Sequence, residues 1–272
     1  MHITITGNLG SGKSTICKIL EDKYGFEIYS TGKVQREIAR EMNISTLEMN
    51  RLMCSDRKYD TMIDDATARI SRENRDKNII FDSRLAWNFV EQSFKVFLSV
   101  SLDVAAERVM KDNRGKEEKY ASLAEAKEML AARAQTEDRR YKDMYNLNYF
   151  DFSNYNLVID STFSTPEKIA SVIMLEAKKF EADWKEKGVF GPGNQGINRI
   201  LVSPKRLYKG EVAGAEVNDL REMTEEFRRI TDYIDITVSV RKNKDEYETM
   251  EGINQVKAAL LADVPFIPVK II

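Results

Sequence analysis

The sequence predicts an α/β fold, in which a five-stranded parallel sheet flanked by helices is followed by a small α+β unit. Up to about residue 180, short runs of β-branched and aromatic residues alternate with helix-length segments rich in Glu, Lys, Arg, Ala and Leu. This alternation is typical of parallel strands joined by helices that cover both faces of the sheet. The predicted strands cover 2–6, 26–30, 78–82, 95–100 and 156–160. Residues 166–187 form one long predicted helix with Pro166 in its first turn.

A change of composition separates two predicted domains. The stretch "GVFGPGNQG" (188–196) contains four glycines and a proline, which is typical of a linker. We therefore expect one domain over 1–187 and an α+β domain over 197–272. The elements expected in the second domain are a strand in "NRILVSP", a helix over 217–229, a strand over 233–242, a helix in "INQVKAALLA" and a final strand in "PFIPVKII".

Composition excludes several classes of protein. The 42 basic and 44 acidic residues give a net charge of −2, which argues against a whole-protein electrostatic grip on nucleic acid but leaves a local patch open. Cys17 and Cys54 are the only cysteines, so neither a disulfide framework nor a zinc site is expected. The sequence contains no apolar run long enough to span a bilayer. We expect a cytoplasmic protein without a signal peptide.

The stretch "GNLGSGKST" (7–15) contains the phosphate-loop motif G-x-x-x-x-G-K-[S/T]. A chain of average composition and this length would match it by chance roughly once in a hundred sequences. A predicted strand runs into the motif and a predicted helix runs out of it, which is the context that the motif requires. Lys13 is expected on the β- and γ-phosphates of a nucleotide and Ser14 on Mg²⁺. The residues predicted to bind ATP are Gly7, Gly10, Ser11, Gly12, Lys13, Ser14 and Thr15.

Arginines indicate which reaction such a loop serves. A kinase that moves phosphate between two small molecules must gather two highly charged substrates, and this requires several guanidinium groups. Arg36 follows the second predicted strand, and Arg84 follows the third at the carboxyl end of the sheet, where α/β proteins bind ligands. A charged helical segment late in the domain carries Arg133, Arg139 and Arg140, with Arg108 and Arg114 before it. For any single arginine of this set, a solvated helix face is the more ordinary explanation. Three groups of arginines at strand ends and late in the domain, together with a phosphate loop, favour phosphate binding instead.

Residues 1–180 resemble the cytidylate kinases, in the short form that lacks a large inserted substrate domain. The resemblance rests on ordered motifs: "GNLGSGKST", "STGKVQREIARE", "FDSRLAW", "RAQTEDRRYKDMYN" and "YNLVIDST". Two residues depart from the family pattern, because Ser83 replaces the usual glycine of the third motif and Trp87 stands where a small residue is common. Both lie beside the expected acceptor pocket and could reshape it. The resemblance therefore implies phosphoryl transfer more specifically than it implies which nucleobase the acceptor carries.

The resemblance implies a role for each matching residue. Thr31 and Arg36 would hold the nucleoside monophosphate, and Arg84 would be a second clamp on its phosphate. Arg133 and Arg140 would neutralise the transferring phosphoryl group, and Glu137 would orient those arginines or the acceptor. Asp82 would hold hydrated Mg²⁺ through water, with turn capping as the alternative role. The implied catalytic set is Lys13, Arg84, Arg133 and Arg140; Thr31, Arg36, Asp82, Arg84 and Glu137 would bind substrate, and Ser14 and Asp82 would bind the metal.

Residues 197–272 more weakly resemble the ParB/sulfiredoxin-like fold, through "ILVSPKRLY" and "EGINQVKAALLADVPFIPVKII". Members of that fold bind nucleotide phosphates at a turn that carries Arg and His, but the corresponding residues here are Glu251 to Gln255 and carry neither. A regulatory, docking or oligomerisation role is therefore favoured. A surviving nucleotide or nucleic-acid site is the alternative, suggested by Lys205, Arg206, Arg241, Lys242 and Lys244.

These observations predict an enzyme that transfers a phosphoryl group from ATP, with Mg²⁺, to a nucleoside monophosphate, chiefly CMP or dCMP. Two alternatives stay open. One is a non-catalytic nucleotide sensor that is coupled to a partner- or DNA-binding C-terminal domain. The other is a phosphate-loop kinase with a different acceptor. A homo-oligomer is compatible with each of these hypotheses.

Overall fold

The computed structural model describes residues 1–44, 48–49, 52, 58–111, 120–187, 199–229 and 238–272, apart from the side chains of Lys33, Arg36 and Glu37. Over these residues the strands form one nine-stranded sheet in the order β2-β3-β1-β4-β5-β6-β9-β7-β8. Their bounds are β1 His2–Gly7, β2 Glu27–Ser30, β3 Ile79–Asp82, β4 Phe94–Ser99, β5 Leu157–Asp160, β6 Arg199–Val202, β7 Ser239–Asn243, β8 Glu246–Glu251 and β9 Ile267–Ile271.

The first five strands confirm the predicted parallel sheet. β1 pairs in parallel with β3 and β4, β2 pairs with β3, and β4 pairs with β5. Each observed strand begins and ends within one residue of its prediction. All carboxyl ends of this parallel sheet therefore meet at one edge, where the order of strands reverses around β1 and where α/β folds bind ligands.

Helices cover both faces of this sheet. Their bounds are α1 Lys13–Tyr24, α2 Thr31–Glu41, α3 Lys58–Glu73, α4 Ala86–Phe89, α5 Leu102–Lys111, α6 Leu123–Tyr145 and α7 Pro166–Lys187. On one face, α1 and α7 pack on the fully buried side chains of β1 and β4. On the other face, Trp87 and Tyr155 form an aromatic core with Phe97 of β4. The predicted helix over 166–187 is confirmed over its whole predicted length.

The C-terminal region continues the same sheet. β6 pairs in parallel with β5, β9 pairs antiparallel with β6, and β7 links β9 to β8. The helices here are α8 Pro204–Leu207, α9 Gly214–Asp219, α10 Arg221–Arg229 and α11 Ile253–Leu261. Val238, Val240, Tyr247 and Val256 belong to a core of this region's own. The α+β composition is as predicted, whereas the pairing of β6 with β5 was not foreseen.

Two boundaries in the C-terminal region were predicted wrongly. The single helix expected over 217–229 is two helices, because α9 ends at Asp219 and α10 begins at Arg221. The strand expected over 233–242 is described from Ser239 and runs on to Asn243, where it turns into β8, a strand that was not predicted. Residues 233–237 of that expected strand lie outside the described residues, as do the predicted linker 188–196 and Cys54.

A β-hairpin joins the C-terminal region to the first 187 residues. Asp245, at the turn between β7 and β8, accepts a hydrogen bond from the backbone N–H of Leu102 at 2.7 Å, at the beginning of α5. Arg206 donates to the backbone carbonyl of Asp245, and its Nε lies 3.6 Å from Oδ2 of Asp160 at the end of β5. The side chain of Arg206 is only 7% exposed. The tip of the hairpin is therefore fixed beside the edge of the sheet that carries the phosphate-loop motif.

Within the described residues, no helix combines the length and the apolar character that crossing a membrane requires.

Candidate active site

The predicted phosphate loop connects β1 to α1 and is built around three glycines with positive φ. The φ angles of Gly7, Gly10 and Gly12 are 156°, 75° and 84°. A Cβ on Gly7 would lie 2.3 Å from the carbonyl oxygen of Leu98, and one on Gly10 would lie 2.8 Å from the backbone of Ala105. The loop is therefore pressed against β4 and α5, and only glycine fits at these two positions.

The polar groups of this loop fit an anion. Gly12 is the N-cap residue of α1 and no side chain caps this end, which leaves the first N–H groups of the helix for a ligand. Ser11 is 1% exposed, and its Oγ has no hydrogen-bond partner in the part of the chain that the structure describes. Burial, with the nearby charge of Arg84, lowers the pKa of Lys13 to about 7. A bound polyphosphate would reverse this shift, because it favours the charged ammonium.

A cavity of about 560 Å³ lies in front of this loop at the carboxyl edge of the sheet. Eight of the residues predicted to bind or transfer phosphate line it, from four different parts of the chain: Lys13, Ser14, Thr31, Asp82, Arg84, Arg133, Glu137 and Arg140. α6 forms one wall and α3 another. Residues 127 positions apart along the chain, Lys13 and Arg140, thus converge on one space of ligand size.

Glu137 of α6 links two of the predicted catalytic arginines. Arg84 Nε donates to Oε2 of Glu137 at 2.9 Å, and Arg133 Nε donates to Oε1 at 3.1 Å. Arg84 also donates to the backbone carbonyl of Gly7 at 2.8 Å, which ties it to the phosphate loop. Burial would raise the pKa of Glu137, but the charges and hydrogen bonds of Arg84 and Arg133 outweigh it and hold that pKa below its usual value. Glu137 is therefore an ionised anchor that orients both guanidinium groups.

The position of Glu137 follows from a well-capped helix. Ser122 accepts a hydrogen bond from the N–H of Glu125, and the Glu125 carboxylate accepts one from the N–H of Ala121. This reciprocal capping box fixes where α6 begins. Arg133, Glu137 and Arg140 are spaced three or four residues apart and so share one face of α6, which faces the cavity.

Two acids that the sequence analysis missed also line the cavity. Asp60 and Asp64 lie one turn apart on α3. Asp60 pairs with Arg140, and Asp64 accepts a hydrogen bond from the hydroxyl of Tyr145. Burial raises the pKa of Asp60, and it raises the pKa of Asp64 to about 6. These acids line the cavity together with Tyr141 and Tyr145.

Five residues predicted to bind ATP do not line this cavity. Gly7, Gly10, Ser11, Gly12 and Thr15 shape the loop and the start of α1 rather than line the space in front of them. Arg36 lies on α2, which begins at the cavity with Thr31, but its side chain is not among those described. Ser83 lines the cavity as expected.

Trp87 has a different position from the one expected. Its indole is 5% exposed and packs 5.6 Å from the ring of Tyr155 in the aromatic core. The departure from the family pattern at this position is therefore a matter of core packing.

Arg108 connects the phosphate loop to the loop after β5. Its guanidinium donates to the carbonyl of Gly10 at 3.3 Å and to the carbonyl of Ser161 at 2.7 Å. Burial lowers the pKa of this arginine, and the nearby Asp160 opposes that shift. The sequence analysis grouped Arg108 with the arginines of 133–140, whereas in the structure it links the phosphate loop to the loop after β5.

The oxygen donors in the cavity suit Mg²⁺. Ser14 supplies a hydroxyl and Asp82 a carboxylate on the same lining. Among the described residues no group of three or more His, Cys, Asp or Glu could hold a metal by itself. Mg²⁺ does not require such a group, because it is usually held by one or two protein oxygens together with water and the substrate's phosphates.

Fold and site together define a phosphate-loop α/β phosphotransferase: a glycine loop and lysine at the end of β1, with arginines from two further segments facing them. A sequence model described as the cytidylate kinase-like family matches residues 2–163. The chain belongs to this family and is a nucleoside monophosphate kinase.

Curated relatives agree with the family. A protein named cytidylate kinase from Methanobrevibacter smithii is 32% identical over 178 residues, which are 65% of this chain and 99% of that protein. Another cytidylate kinase, from Methanothrix thermoacetophila, is 37% identical over 162 residues, which are 59% of this chain and 88% of that protein. More than a third of this chain lies outside each of these two alignments.

A solved structure has the same fold. The crystal structure of an uncharacterized protein from Eubacterium ventriosum superposes with a TM-score of 0.51 at 15% identity, over 65% of this chain and 98% of that one. The family match ends at residue 163, so the resemblance of residues 197–272 to the ParB/sulfiredoxin-like fold stays a prediction.

Proposed function

We propose that this enzyme transfers the γ-phosphoryl group of ATP to CMP or dCMP, and that the cavity of about 560 Å³ is its active site. The observation that carries the proposal is the convergence of Lys13 with Arg84, Arg133 and Arg140 on one cavity. Four cations around one space are what two phosphorylated substrates require. The names of the relatives support CMP as the acceptor.

In this proposal the phosphate loop holds the ATP phosphates. Backbone N–H groups at the start of α1 and the buried hydroxyl of Ser11 supply hydrogen bonds, and Lys13 supplies a charge. Ser14 and Asp82 would hold Mg²⁺, which neutralises phosphate charge when bound. Arg108 would keep the loop in shape through its bonds to the carbonyls of Gly10 and Ser161.

The acceptor would be held between α2 and α6. Thr31 and Arg36 at the start of α2 and Arg84 after β3 would bind its phosphate. Arg133 and Arg140 would stabilise the charge that develops on the transferring group, with Glu137 keeping Arg84 and Arg133 in place. Because the nucleophile is already a phosphate oxygen, no covalent intermediate is needed, and positioning with charge stabilisation supplies the catalysis.

Asp60 and Asp64 favour a cytosine base. The 4-amino group of cytosine is a hydrogen-bond donor and suits a carboxylate, whereas uracil presents an acceptor at the same position. With a pKa of about 6, Asp64 is ionised at pH 7.5 and would repel that acceptor. We therefore assign the end of the cavity at Asp64 to recognition of the base.

The experiment that tests this assignment compares acceptors in a coupled assay of ADP release with Mg-ATP. CMP or dCMP should be preferred over UMP by wild type, and Asp64→Asn should reduce the ratio of kcat/KM for CMP to that for UMP at least about tenfold, because the amide can donate to uracil. Asp65→Asn is the matched control, since Asp65 is an exposed acid on the same helix. An unchanged ratio in Asp64→Asn would contradict the role of this residue.

The same assay separates the alternatives. A nucleotide sensor would bind ATP but release no ADP with any acceptor. A kinase for AMP, GMP or a hydroxyl metabolite would turn over with that acceptor and not with CMP. Arg133 and Arg140 argue against a pure sensor, because sensing ATP alone does not require these two arginines in the cavity.

A further inference from the structure

A second cavity, of about 430 Å³, lies between the C-terminal hairpin and α6. It is lined by the phosphate loop through Asn8 and Leu9, by the ends of β4 and the beginning of α5, and by the hairpin that carries Lys242, Lys244 and Asp245. Ligand sites are commonly clefts of about this volume. Among the side chains that the structure describes, none of those assigned above to ATP, acceptor or metal lines this cavity.

α6 separates the two cavities. Arg133, Glu137 and Arg140 face the active site, whereas Leu130, Ala134 and Asp138 face the second cavity. At 100° per residue these two sets lie on different sides of the helix. Leu9 of the phosphate loop lines both spaces, so an occupant of the second cavity would contact two elements that also form the active site.

The walls of the second cavity suit a flat ring. Phe97, Phe150, Phe152 and Tyr247 present aromatic surface, and Leu9 and Leu130 add aliphatic surface. Aromatic side chains bind nucleobases by stacking, and any of the bases can stack in this way.

The polar groups of the cavity suit an anion that also carries hydrogen-bond donors. Three cations line it: Arg206, Lys242 and Lys244. Asp245 is committed to the N–H of Leu102 and to Arg206. Arg206 is held by Asp160 and Asp245. Oδ1 of Asp138 is buried and has no hydrogen-bond partner among the described residues, although buried polar atoms are normally paired.

The environment of Lys242 supports an anion at this place. Its Nζ lies 5.3 Å from the centroid of the Phe152 ring, at the border between the aromatic wall and the hairpin. Lys242 lies on an exposed part of the hairpin, and its Nζ donates to the backbone carbonyl of Lys244 at 2.7 Å. Partial desolvation lowers its pKa, and the charge of Arg206 adds to that shift while Asp245 opposes it. A phosphate beside this ammonium would relieve both unfavourable effects.

We infer that the second cavity binds a nucleoside phosphate, with its ring against Phe150 and Phe152, its phosphates toward Lys242 and Lys244, and an amino or hydroxyl group toward Asp138. This chemistry combines the three things that the lining offers: aromatic surface, cations and an unpaired acceptor. The ligand would touch the C-terminal hairpin and α6 at once, and so would connect the C-terminal region to a helix that also lines the active site.

The test uses the full chain with its catalytic site occupied. The blocking ligand is a dinucleotide in which five phosphates join the 5′ oxygens of adenosine and cytidine, so that it fills both halves of the proposed active site. CTP, UTP, ATP and GTP are then each titrated into this complex, and calorimetry measures their binding. We expect one further equivalent of at least one triphosphate to bind. Lys242→Met keeps the length of the side chain but removes its charge, and should weaken this binding at least about tenfold; Ala134→Trp should abolish it by filling the cavity. Lys205→Met is the matched control, since Lys205 lies on the same region and pairs with Asp263 outside this cavity.

Three results would overturn the inference: no further equivalent with any of the four triphosphates, a further equivalent that neither Lys242→Met nor Ala134→Trp weakens, or equally tight binding of inorganic tripolyphosphate. Failure of the proposed function is seen separately, because the joined dinucleotide itself would then not bind. In that case the Lys242 and Ala134 variants still decide whether any triphosphate that binds occupies the second cavity.

Discussion

The pH dependence of ATP binding should follow the charge of Lys13. Burial and the charge of Arg84 lower the pKa of this ammonium to about 7 in the free protein. At pH 8 about nine-tenths of it is then neutral, and at pH 9 about 99%. If the triphosphate binds only the charged form, binding takes up a proton, and the dissociation constant rises by about 50-fold between pH 7 and pH 9. The sign follows from the shift: a pKa that is low in the free protein and raised by the ligand weakens binding as pH rises.

Calorimetry provides the assay. Titrations in two buffers with different enthalpies of ionisation give the number of protons taken up, and we expect about 0.9 at pH 8. Lys13→Arg is the control, because a guanidinium stays charged throughout this range; its dissociation constant should barely depend on pH, whatever its absolute value. A constant affinity between pH 7 and pH 9 in wild type, or the same slope in Lys13→Arg, would refute the reasoning.

Three further substitutions test the anchoring groups. Glu137→Gln removes the charge that holds Arg84, so kcat should fall about 10–100-fold while the dissociation constant of ATP changes little; equal loss of both would assign Glu137 to ATP binding. Gly10→Ala forces a Cβ against the backbone of Ala105 at a φ of 75°. It should lower the free energy of unfolding in urea by about 2–3 kcal/mol. A Cβ in Gly12→Ala meets open space, so this variant should lower the same free energy by only about 1 kcal/mol. Asp245→Ala removes the acceptor for the N–H of Leu102 and should cost about 1–3 kcal/mol in the same assay; no loss would mean that the hairpin tip contributes nothing to stability.

The parallel sheet could be predicted because its signals are local. Each of the first five strands is a short apolar run next to a turn or capping residue, and all five lie within one residue of the expected bounds. Pro166 marks the beginning of α7 equally well. The pairing of β6 with β5 could not be predicted, because no local pattern specifies which strand a given edge will accept, and the glycine-rich stretch between them suggests a break instead.

The residues of the candidate active site also fall into those that the sequence predicted and those that it did not. Lys13, Arg84, Glu137 and Arg140 were found because motifs carry them, and they line one cavity. Asp60 and Asp64 were missed, because acids on a helix are ordinarily read as solvated. One signal was available: Thr67 and Ser71 continue the same face of α3 and are buried, so this face is polar and turned inward. The contact of Asp245 with Leu102 spans 143 residues, and nothing in the turn itself predicts it.

The most direct test of the account is the product ratio formed from Mg-ATP and CMP. After partial turnover, separation of the nucleotides should give ADP and CDP in a 1:1 ratio, with no ADP in the absence of CMP. Arg84→Ala should lower this transfer roughly 1,000-fold while ATP still binds. Formation of ADP without CDP, or transfer at the normal rate in Arg84→Ala, would contradict the claim that this cavity carries phosphate from ATP to CMP.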